Sequence, residues 1–198
     1  HGLQGRWRRR SGSASALRRE ALACLAACEA LRGCAVGDLQ ARLEQARERL
    51  RCDPQQAQGE LIQSLALVGQ MAWRSLGQQP YAVQFMGALA IHRGWLAEMA
   101  TGEGKTLTVA MAAVLAGWSG RPCHLVTAND YLAARDAQEM GPLYRSCSVS
   151  VVAVTGELAP GERSARYACD VVYVTAKELL ADFLRDRRID VRREKRRS

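Results

Sequence analysis

The sequence predicts an α/β fold, in which a parallel sheet flanked by helices follows an all-helical N-terminal segment. Two features of the pattern predict it. Before about residue 80, apolar residues recur at helical spacing, whereas residues 95–187 alternate short apolar or β-branched runs with helical segments. Strands that alternate with helices form parallel sheets, because each crossover helix packs back onto the sheet that it leaves. A chain of 198 residues with 48% apolar content can bury the core that this fold needs.

The segment from residue 14 to residue 79 is predicted to be helical. An Ala- and Leu-rich helix covers about residues 14–31, and two amphipathic helices follow it. The apolar stripe of the second helix is Leu39, Leu43, Ala46 and Leu50, and that of the third is Leu61, Leu65, Val68, Ala72 and Leu76. The sequence Cys-Asp-Pro at residues 52–54 separates these two helices. Both stripes are typical of ordinary packing faces.

The segment from residue 80 to residue 187 is predicted to carry the sheet. Three β-branched runs predict buried strands, at residues 123–128, 148–154 and 170–175. A short apolar run at residues 95–99 predicts a further strand, just before a glycine-rich loop. Helices are predicted near residues 105–118, 131–144, 161–167 and 176–187, and another begins near Ala82, after Pro80.

The net charge of +8 is concentrated at the two ends of the chain. Residues 1–10 carry four Arg and no acid, and residues 185–198 carry eight Arg and Lys against three acids, so the middle is close to neutral. We predict basic tails at residues 1–13 and 188–198, which either meet anionic lipid or nucleic acid or simply keep the protein soluble. A basic groove in the α/β segment, which nucleic-acid binding would need, is not predicted.

The sequence predicts neither a membrane span nor a disulfide framework. The longest apolar block, Leu107 to Trp118, is shorter than a membrane span and is typical of a buried helix. The seven cysteines form no Cys-x-x-Cys pair and lack the spacing of a zinc site. We therefore expect reduced, packed thiols and a cytosolic setting.

The sequence Thr-Gly-Glu-Gly-Lys-Thr at residues 101–106 predicts a phosphate-binding loop. Gly102 and Gly104 let the backbone turn sharply, and the N–H groups of the loop and of the following helix then converge on an anion. Lys105 is predicted to reach the β- and γ-phosphates of a nucleotide, and the Thr106 hydroxyl to hold Mg²⁺. Residues 80–187 are therefore predicted to be part of a P-loop NTPase domain.

Other residues around this loop are less diagnostic. Met99 stands where the P-loop pattern has its first glycine, and a chance Gly-Lys-Thr turn is the alternative to a phosphate site. Glu103 lies within the loop, and we expect its side chain to face solvent. Upstream, the Gln84 amide has the donor and acceptor that an adenine edge needs, and Tyr81 is able to stack on a ring; core packing explains both equally well.

Two stretches together resemble the SecA family, the ATPase motors of bacterial preprotein translocation. They are "AVQFMGALAIHRGWLAEMATGEGKTLT" and "HLVTANDYLAARDAQEMGPLY", and the resemblance covers about residues 60–187. It implies a helicase-like fold without the first P-loop glycine, with ATP or ADP and Mg²⁺ as cofactors. By this resemblance Gln84 contacts adenine, and Thr101 to Thr106 form the nucleotide loop. The implied partners are a SecYEG-type channel and unfolded preprotein, at the cytoplasmic face of the plasma membrane.

The sequence also departs from the family pattern. "TAKELLADFLRD" replaces an Asn- and Tyr-rich motif, which favours a divergent or accessory member. The Walker B acids and the arginine finger of the family are not found in the 198 residues, so we expect these residues alone to bind nucleotide weakly and not to hydrolyse it. Two alternatives stay open, a related DEAD-type nucleic-acid helicase domain and a truncated, non-hydrolysing nucleotide-binding module.

Overall fold

The computed structural model describes residues 14–52 and 59–195. Its helices are α1 (Ala14–Ala30), α2 (Val36–Cys52), α3 (Leu61–Leu76), α4 (Ala82–His92), α5 (Lys105–Trp118), α6 (Asp130–Ser146), α7 (Pro160–Arg166) and α8 (Ala176–Lys195). Its strands are β1 (Cys123–Thr127), β2 (Val151–Val154) and β3 (Val171–Thr175). The predicted tail at residues 1–13, most of the predicted break at 52–54 and the last three residues lie outside the described part.

The predicted helices are confirmed, most of them to within two or three residues. α6 begins at Asp130 because the Asn129 side chain accepts a 2.8 Å hydrogen bond from the Leu132 N–H, which is an N-cap contact. α3 ends at Gly77, which has a positive φ of 68° and closes the helix with its N–H on the Trp73 carbonyl. α8 differs most, since it continues beyond Arg187 to Lys195.

The predicted parallel sheet is confirmed, in the strand order β1-β3-β2. Both pairings are parallel, and Tyr173 of β3 lies opposite Leu125 on one side and Ala153 on the other. All five residues of this central strand are buried. The prediction that β1 is buried is wrong: its residues alternate in exposure, and Val126 is 54% exposed. β1 is an edge strand in the described part of the chain. The face that carries His124 and Val126 is therefore packed against fewer residues than the same face of the central strand β3.

The prediction of a strand at residues 95–99 is also wrong. The segment has no regular secondary structure, and its side chains alternate between half-buried and exposed, with Leu96 99% exposed. It pairs with no strand among the residues that the structure describes. A strand is defined by a hydrogen-bonded neighbour, and the apolar alternation alone does not supply one. The free edge of β1 instead borders a groove of about 560 Å³ beside the apolar stripe of α5, which includes Val109, Ala112 and Ala116.

One hydrophobic core joins the N-terminal helices to one face of the sheet. α5 is at its centre, with Leu107, Met111 and Leu115 all buried. α1 packs on α3 and α4, and α4 packs on α5. Gly69 of α3 leaves room for the Phe85 ring of α4, because a Cβ atom on Gly69 would lie 2.6 Å from that ring. The core is therefore continuous across residue 80, where the architecture changes from helices to strands and helices.

The opposite face of the sheet is covered by α7 and α8. Val154, Val172 and Val174 form a small buried cluster there. Beside it the Arg163 guanidinium, only 5% exposed, donates 2.7 Å and 2.9 Å hydrogen bonds to Glu178 and Asp182 of α8. A buried cation with two carboxylate partners thus anchors α8 next to β3, and so fixes the carboxyl end of the sheet.

Candidate functional site

The glycine-rich loop connects the extended segment after α4 to the first turn of α5. Gly102 and Gly104 have φ angles of 90° and 75°, a region that side-chain-bearing residues rarely adopt. Gly104 is the residue immediately before the helix, and its carbonyl accepts the Thr108 backbone N–H over 3.1 Å. The two glycines therefore turn the chain so that the free N–H groups of the first turn of α5 end at the loop.

Lys105 and Thr106 occupy the first turn of α5. The Lys105 Nζ atom donates a 2.8 Å hydrogen bond to the Ala100 carbonyl, so the ammonium group reaches back along the loop. Thr106 is half-buried, and its hydroxyl has no hydrogen-bond partner within residues 14–52 and 59–195. Thr101 is exposed at the tip of the loop. The structure thus brings a cation and an unengaged hydroxyl to the same loop.

Gln84 joins α4 to this loop. Its side chain is buried, with the whole residue 7% exposed, and its Oε1 atom accepts the Tyr81 N–H over 2.9 Å. Its Nε2 atom donates to the Glu103 carbonyl over 3.2 Å. An amide has two hydrogens and two acceptor positions, so one of each remains. Tyr81, at the start of α4, is 69% exposed.

Because Gly104 has no side chain, the Gln84 amide occupies the space beside its Cα atom. A Cβ atom built on Gly104 would lie 2.0 Å from the Gln84 Nε2 atom, which no real pair of atoms tolerates. The backbone angle of Gly104 favours glycine, and a side chain at this position would also displace the Gln84 amide from the loop. The packing of Gln84 against Gly104 thus holds the loop against α4.

The Glu103 side chain is engaged, although the sequence predicts that it faces solvent. The residue is half-buried, and its Oε2 atom accepts the Ala100 N–H over 2.8 Å. Sequence reasoning missed this contact because a surface-type residue in a loop carries no periodic signal that points to a partner.

Met99 packs against α4. A Cβ atom on Gly87 would lie 3.2 Å from the Met99 sulfur and 2.7 Å from the Thr108 methyl group. Gly87 therefore leaves room for a long side chain at the position where the P-loop pattern has its first glycine. The departure from the pattern is accommodated by packing, outside the turn that Gly102 and Gly104 make.

A cavity of about 190 Å³ lies beside Lys105 and Thr106. Asp136 of α6 and Tyr173 of β3 line it as well, and sequence reasoning missed both. The Asp136 carboxylate accepts 2.9 Å and 2.6 Å hydrogen bonds from the neighbouring Arg135 guanidinium. Burial raises the pKa of Tyr173, so its hydroxyl is neutral at physiological pH. The crossover connections bring these two residues to the loop. Asp136 lies within the second stretch that resembles the SecA family, but nothing local indicates that either residue reaches the loop.

Two further observations concern metals and membranes. Among the described residues, no three His, Cys, Asp or Glu side chains converge as metal ligands. In the same part of the chain, no helix combines the length and the apolar character that crossing a membrane requires. All seven cysteines are free thiols.

Comparison with known proteins identifies the family. The model of the SecA DEAD-like domain matches residues 6–197. The chain is 56% identical over 186 residues to "Protein translocase subunit SecA 2" of Magnetococcus marinus, covering 94% of this chain and 29% of that protein. It is 47% identical over 187 residues to the SecA 2 protein of Chlorobium chlorochromatii, covering 94% of this chain and 28% of that protein.

A more distant relative has the same name without the number. "Protein translocase subunit SecA" of Deinococcus deserti is 44% identical over 151 residues, which is 76% of this chain and 17% of that protein. The chain thus spans less than a third of the length of these curated relatives. Since the family model matches nearly all of the sequence, the chain belongs to the SecA DEAD-like domain family.

Proposed function

We propose that the chain is the N-terminal portion of a SecA-type motor, in which ATP drives the movement of unfolded proteins across a membrane. The loop from Gly102 to Thr106 would bind the phosphates of ATP or ADP. The observation that carries this proposal is the geometry of that loop, in which two glycines with positive φ lead directly into α5. The similarity to proteins named protein translocase subunit supports the process that we assign.

Phosphate binding follows from the groups that meet at the loop. The first N–H groups of α5 have no partners within the helix, and the helix dipole places partial positive charge at the same end. Lys105 adds a full positive charge, and its present bond to the Ala100 carbonyl already aims the ammonium group along the loop. These groups would bind and orient the β- and γ-phosphates before any reaction begins.

Candidate residues also exist for binding Mg²⁺ and the adenine base of the nucleotide. The Thr106 hydroxyl, which has no protein partner in the described part of the chain, would be a ligand for Mg²⁺. Gln84 retains one donor and one acceptor, the pair that an adenine edge requires, and the exposed ring of Tyr81 offers a stacking surface beside it. We assign adenine contact to these two residues.

Hydrolysis is assigned to a more complete motor. Bound ATP would supply the phosphoanhydride bond whose cleavage releases free energy. Cleavage needs a carboxylate that helps Thr106 to hold Mg²⁺, an oriented water and a cation at the developing charge. Lys105 and Thr106 only bind and position phosphates, so we propose that the 198 residues bind nucleotide without turning it over.

The partners and the location are proposed from the family. A translocation channel of the SecYEG type and an unfolded preprotein are the macromolecular partners of such a motor. The site of action is the cytoplasmic side of the plasma membrane, where the motor is bound peripherally. The basic ends of the chain would add attraction to anionic lipid, because Arg and Lys side chains bind a negatively charged membrane surface.

A nucleic-acid helicase is the weaker alternative. Such an enzyme binds the phosphate backbone through a basic surface. The charge of residues 11–184 is close to neutral, so the α/β segment offers no basic groove for a nucleic acid.

The experiment combines binding and turnover on the 198-residue chain. Equilibrium dialysis with Mg²⁺ and labelled ADP or ATP should give saturable binding, and phosphate release should stay at the level of a protein-free control. The absence of saturable binding for both nucleotides would contradict the phosphate site. Turnover at the rate of a complete translocation ATPase would contradict the assignment of hydrolysis to further parts of a motor. Salt-sensitive retention of RNA or DNA on filters would favour the helicase.

A further inference from the structure

Ala100 is held from both sides by the two charged residues of the loop. The Glu103 carboxylate accepts the Ala100 N–H over 2.8 Å, and the Lys105 ammonium donates to the Ala100 carbonyl over 2.8 Å. That carbonyl also accepts the Glu103 N–H, over 3.4 Å. Both polar groups of one backbone residue are thus fixed at the point where the loop begins.

Glu103 is in turn bonded to α4. Its carbonyl accepts the Nε2 hydrogen of Gln84, whose Oε1 atom is bonded to the Tyr81 N–H. Glu103 therefore makes two contacts. Its carbonyl accepts a hydrogen bond from α4, and its carboxylate closes the turn of residues 100–103. The backbone of Glu103 connects the loop to the buried Gln84 side chain, and its carboxylate bonds another residue of the same loop, Ala100.

A carboxylate is an unexpected side chain in a loop that binds phosphate. A free Glu carboxylate at the surface of the loop would repel the negatively charged phosphates, and so would weaken the binding of a nucleotide. The repulsion is reduced when the carboxylate accepts a hydrogen bond from a backbone N–H group. The Ala100 N–H supplies that bond here, while the Lys105 ammonium is bonded to the carbonyl of the same residue.

We propose that Glu103 is a positioning residue of the phosphate-binding loop, a role that rests on the proposed nucleotide function. Its carboxylate holds the turn of residues 100–103 closed in the absence of nucleotide. The amides of Gly104 and Lys105 then point to the phosphate site before the ligand arrives. A loop that is already ordered loses less conformational entropy when it binds, so the affinity for nucleotide is higher.

The carboxylate acts through a hydrogen bond, and the choice of variants follows from this. Glu103→Ala removes the acceptor, whereas Glu103→Gln keeps an oxygen at the same place without the charge. Glu98→Ala is the matched control, because Glu98 is an exposed carboxylate just before the loop with no hydrogen bond described for its side chain. It reports the effect of removing a nearby negative charge alone.

The first measurement is the dissociation constant for Mg²⁺ with ADP in the 198-residue chain. Glu103→Ala should weaken binding about fivefold to tenfold, the range for one ordinary hydrogen bond, while Glu103→Gln and Glu98→Ala stay within about twofold. Binding by Glu103→Ala that is as tight as wild type, or tighter, would overturn the proposal. So would Glu103→Gln behaving like Glu103→Ala, because the charge and not the bond would then matter.

The second measurement needs no nucleotide. Hydrogen exchange of the Ala100 amide should be faster in Glu103→Ala than in wild type and unchanged in Glu103→Gln, with equal melting temperatures for all three. Equal exchange in wild type and Glu103→Ala would overturn the proposal. If wild type binds no nucleotide at all, the proposed function fails, whereas the exchange result still decides whether Glu103 orders the loop.

Discussion

Gln84 donates its side-chain amide to the carbonyl of Glu103 over 3.2 Å, through the space that a Cβ atom on Gly104 would fill. This contact ties the first turn of α4 to the loop that precedes α5. The loop is therefore positioned from two directions, by the helix that follows it and by a buried amide on a neighbouring helix. The proposed nucleotide site depends on both.

Gly104→Ala should abolish most nucleotide binding. The new Cβ atom would displace Gln84 and would also strain a backbone with φ of 75°, so we expect a loss of affinity of more than about tenfold. Gly102→Ala is the control, because Gly102 has a similar φ of 90° but no atom within 4 Å of its Cβ position. Titration with a fluorescent ADP analogue measures both. Equal losses in the two variants would show that strain alone matters and that the Gln84 contact does not.

The buried hydroxyls of Tyr144 and Tyr173 should behave as a pair. They lie 2.9 Å apart, and both side chains are buried. Changing either one to Phe leaves the other hydroxyl buried without a partner, which should lower the free energy of unfolding by about 1–3 kcal/mol. The double variant should recover much of that loss, since neither polar group remains. Urea denaturation of all four proteins gives the coupling, and additive losses would contradict it.

Arg163→Met should destabilise the protein strongly. It leaves the buried Glu178 carboxylate without its guanidinium partner and removes one of the two that Asp182 has, the other being Arg185. We expect a loss of about 3 kcal/mol. Arg166→Met is the control, because Arg166 is half-buried nearby and its described bond is to the Ala153 carbonyl, not to a carboxylate. Its loss should be about 1 kcal/mol. Thermal or urea unfolding distinguishes them, and similar losses would show that the ion pairs contribute little.

The contribution of Asp182 should depend on pH. Burial raises the pKa of this carboxyl, but hydrogen bonds from Arg163 and Tyr167 lower it by more, so the pKa lies below its ordinary value of 3.8. A folded-state pKa below the unfolded one gives stability that is complete above about pH 4 and is lost as the pH falls through the folded value. Asp182→Asn should therefore be less stable than wild type at pH 7, and the difference should shrink below about pH 4.

The control for this pH effect is Asp186→Asn, which changes an exposed carboxylate on the same helix. Its stability should follow that of wild type across the range. Urea midpoints at several pH values from 7 to 3 provide the comparison. A difference between wild type and Asp182→Asn that stays constant with pH would contradict the assigned ion pair.

Local patterns in the sequence predicted the helices well. The bounds of α5 follow from Gly104 on one side and a continuous apolar run on the other, and those of α3 from its stripe and Gly77. These signals lie within one turn of the residues that they position, so no knowledge of distant contacts is needed. The parallel sheet was predictable for a different reason, because strands that alternate with helices form parallel sheets.

Features that depend on distant residues were not predictable. The run at residues 95–99 has the alternation of a strand, but strand pairing is decided by a neighbour far along the chain. Val126 is as β-branched as Val174, yet one lies at the edge of the sheet and the other at its centre. Asp136 and Tyr173 line the cavity beside the loop only because α6 and β3 return to it. The Glu103 contact depends on a side-chain conformation that composition does not encode.

Calorimetry of Lys105→Ala with Mg²⁺ and ADP tests the central claim most directly. Lys177→Ala is the matched control, because Lys177 is also an exposed lysine in the first turn of a helix, but no glycine-rich loop precedes it. We predict that wild type and Lys177→Ala bind with the same affinity and that Lys105→Ala binds at least about tenfold more weakly, a difference of about 1.4 kcal/mol. Equal affinity in all three proteins would contradict a phosphate site at this loop.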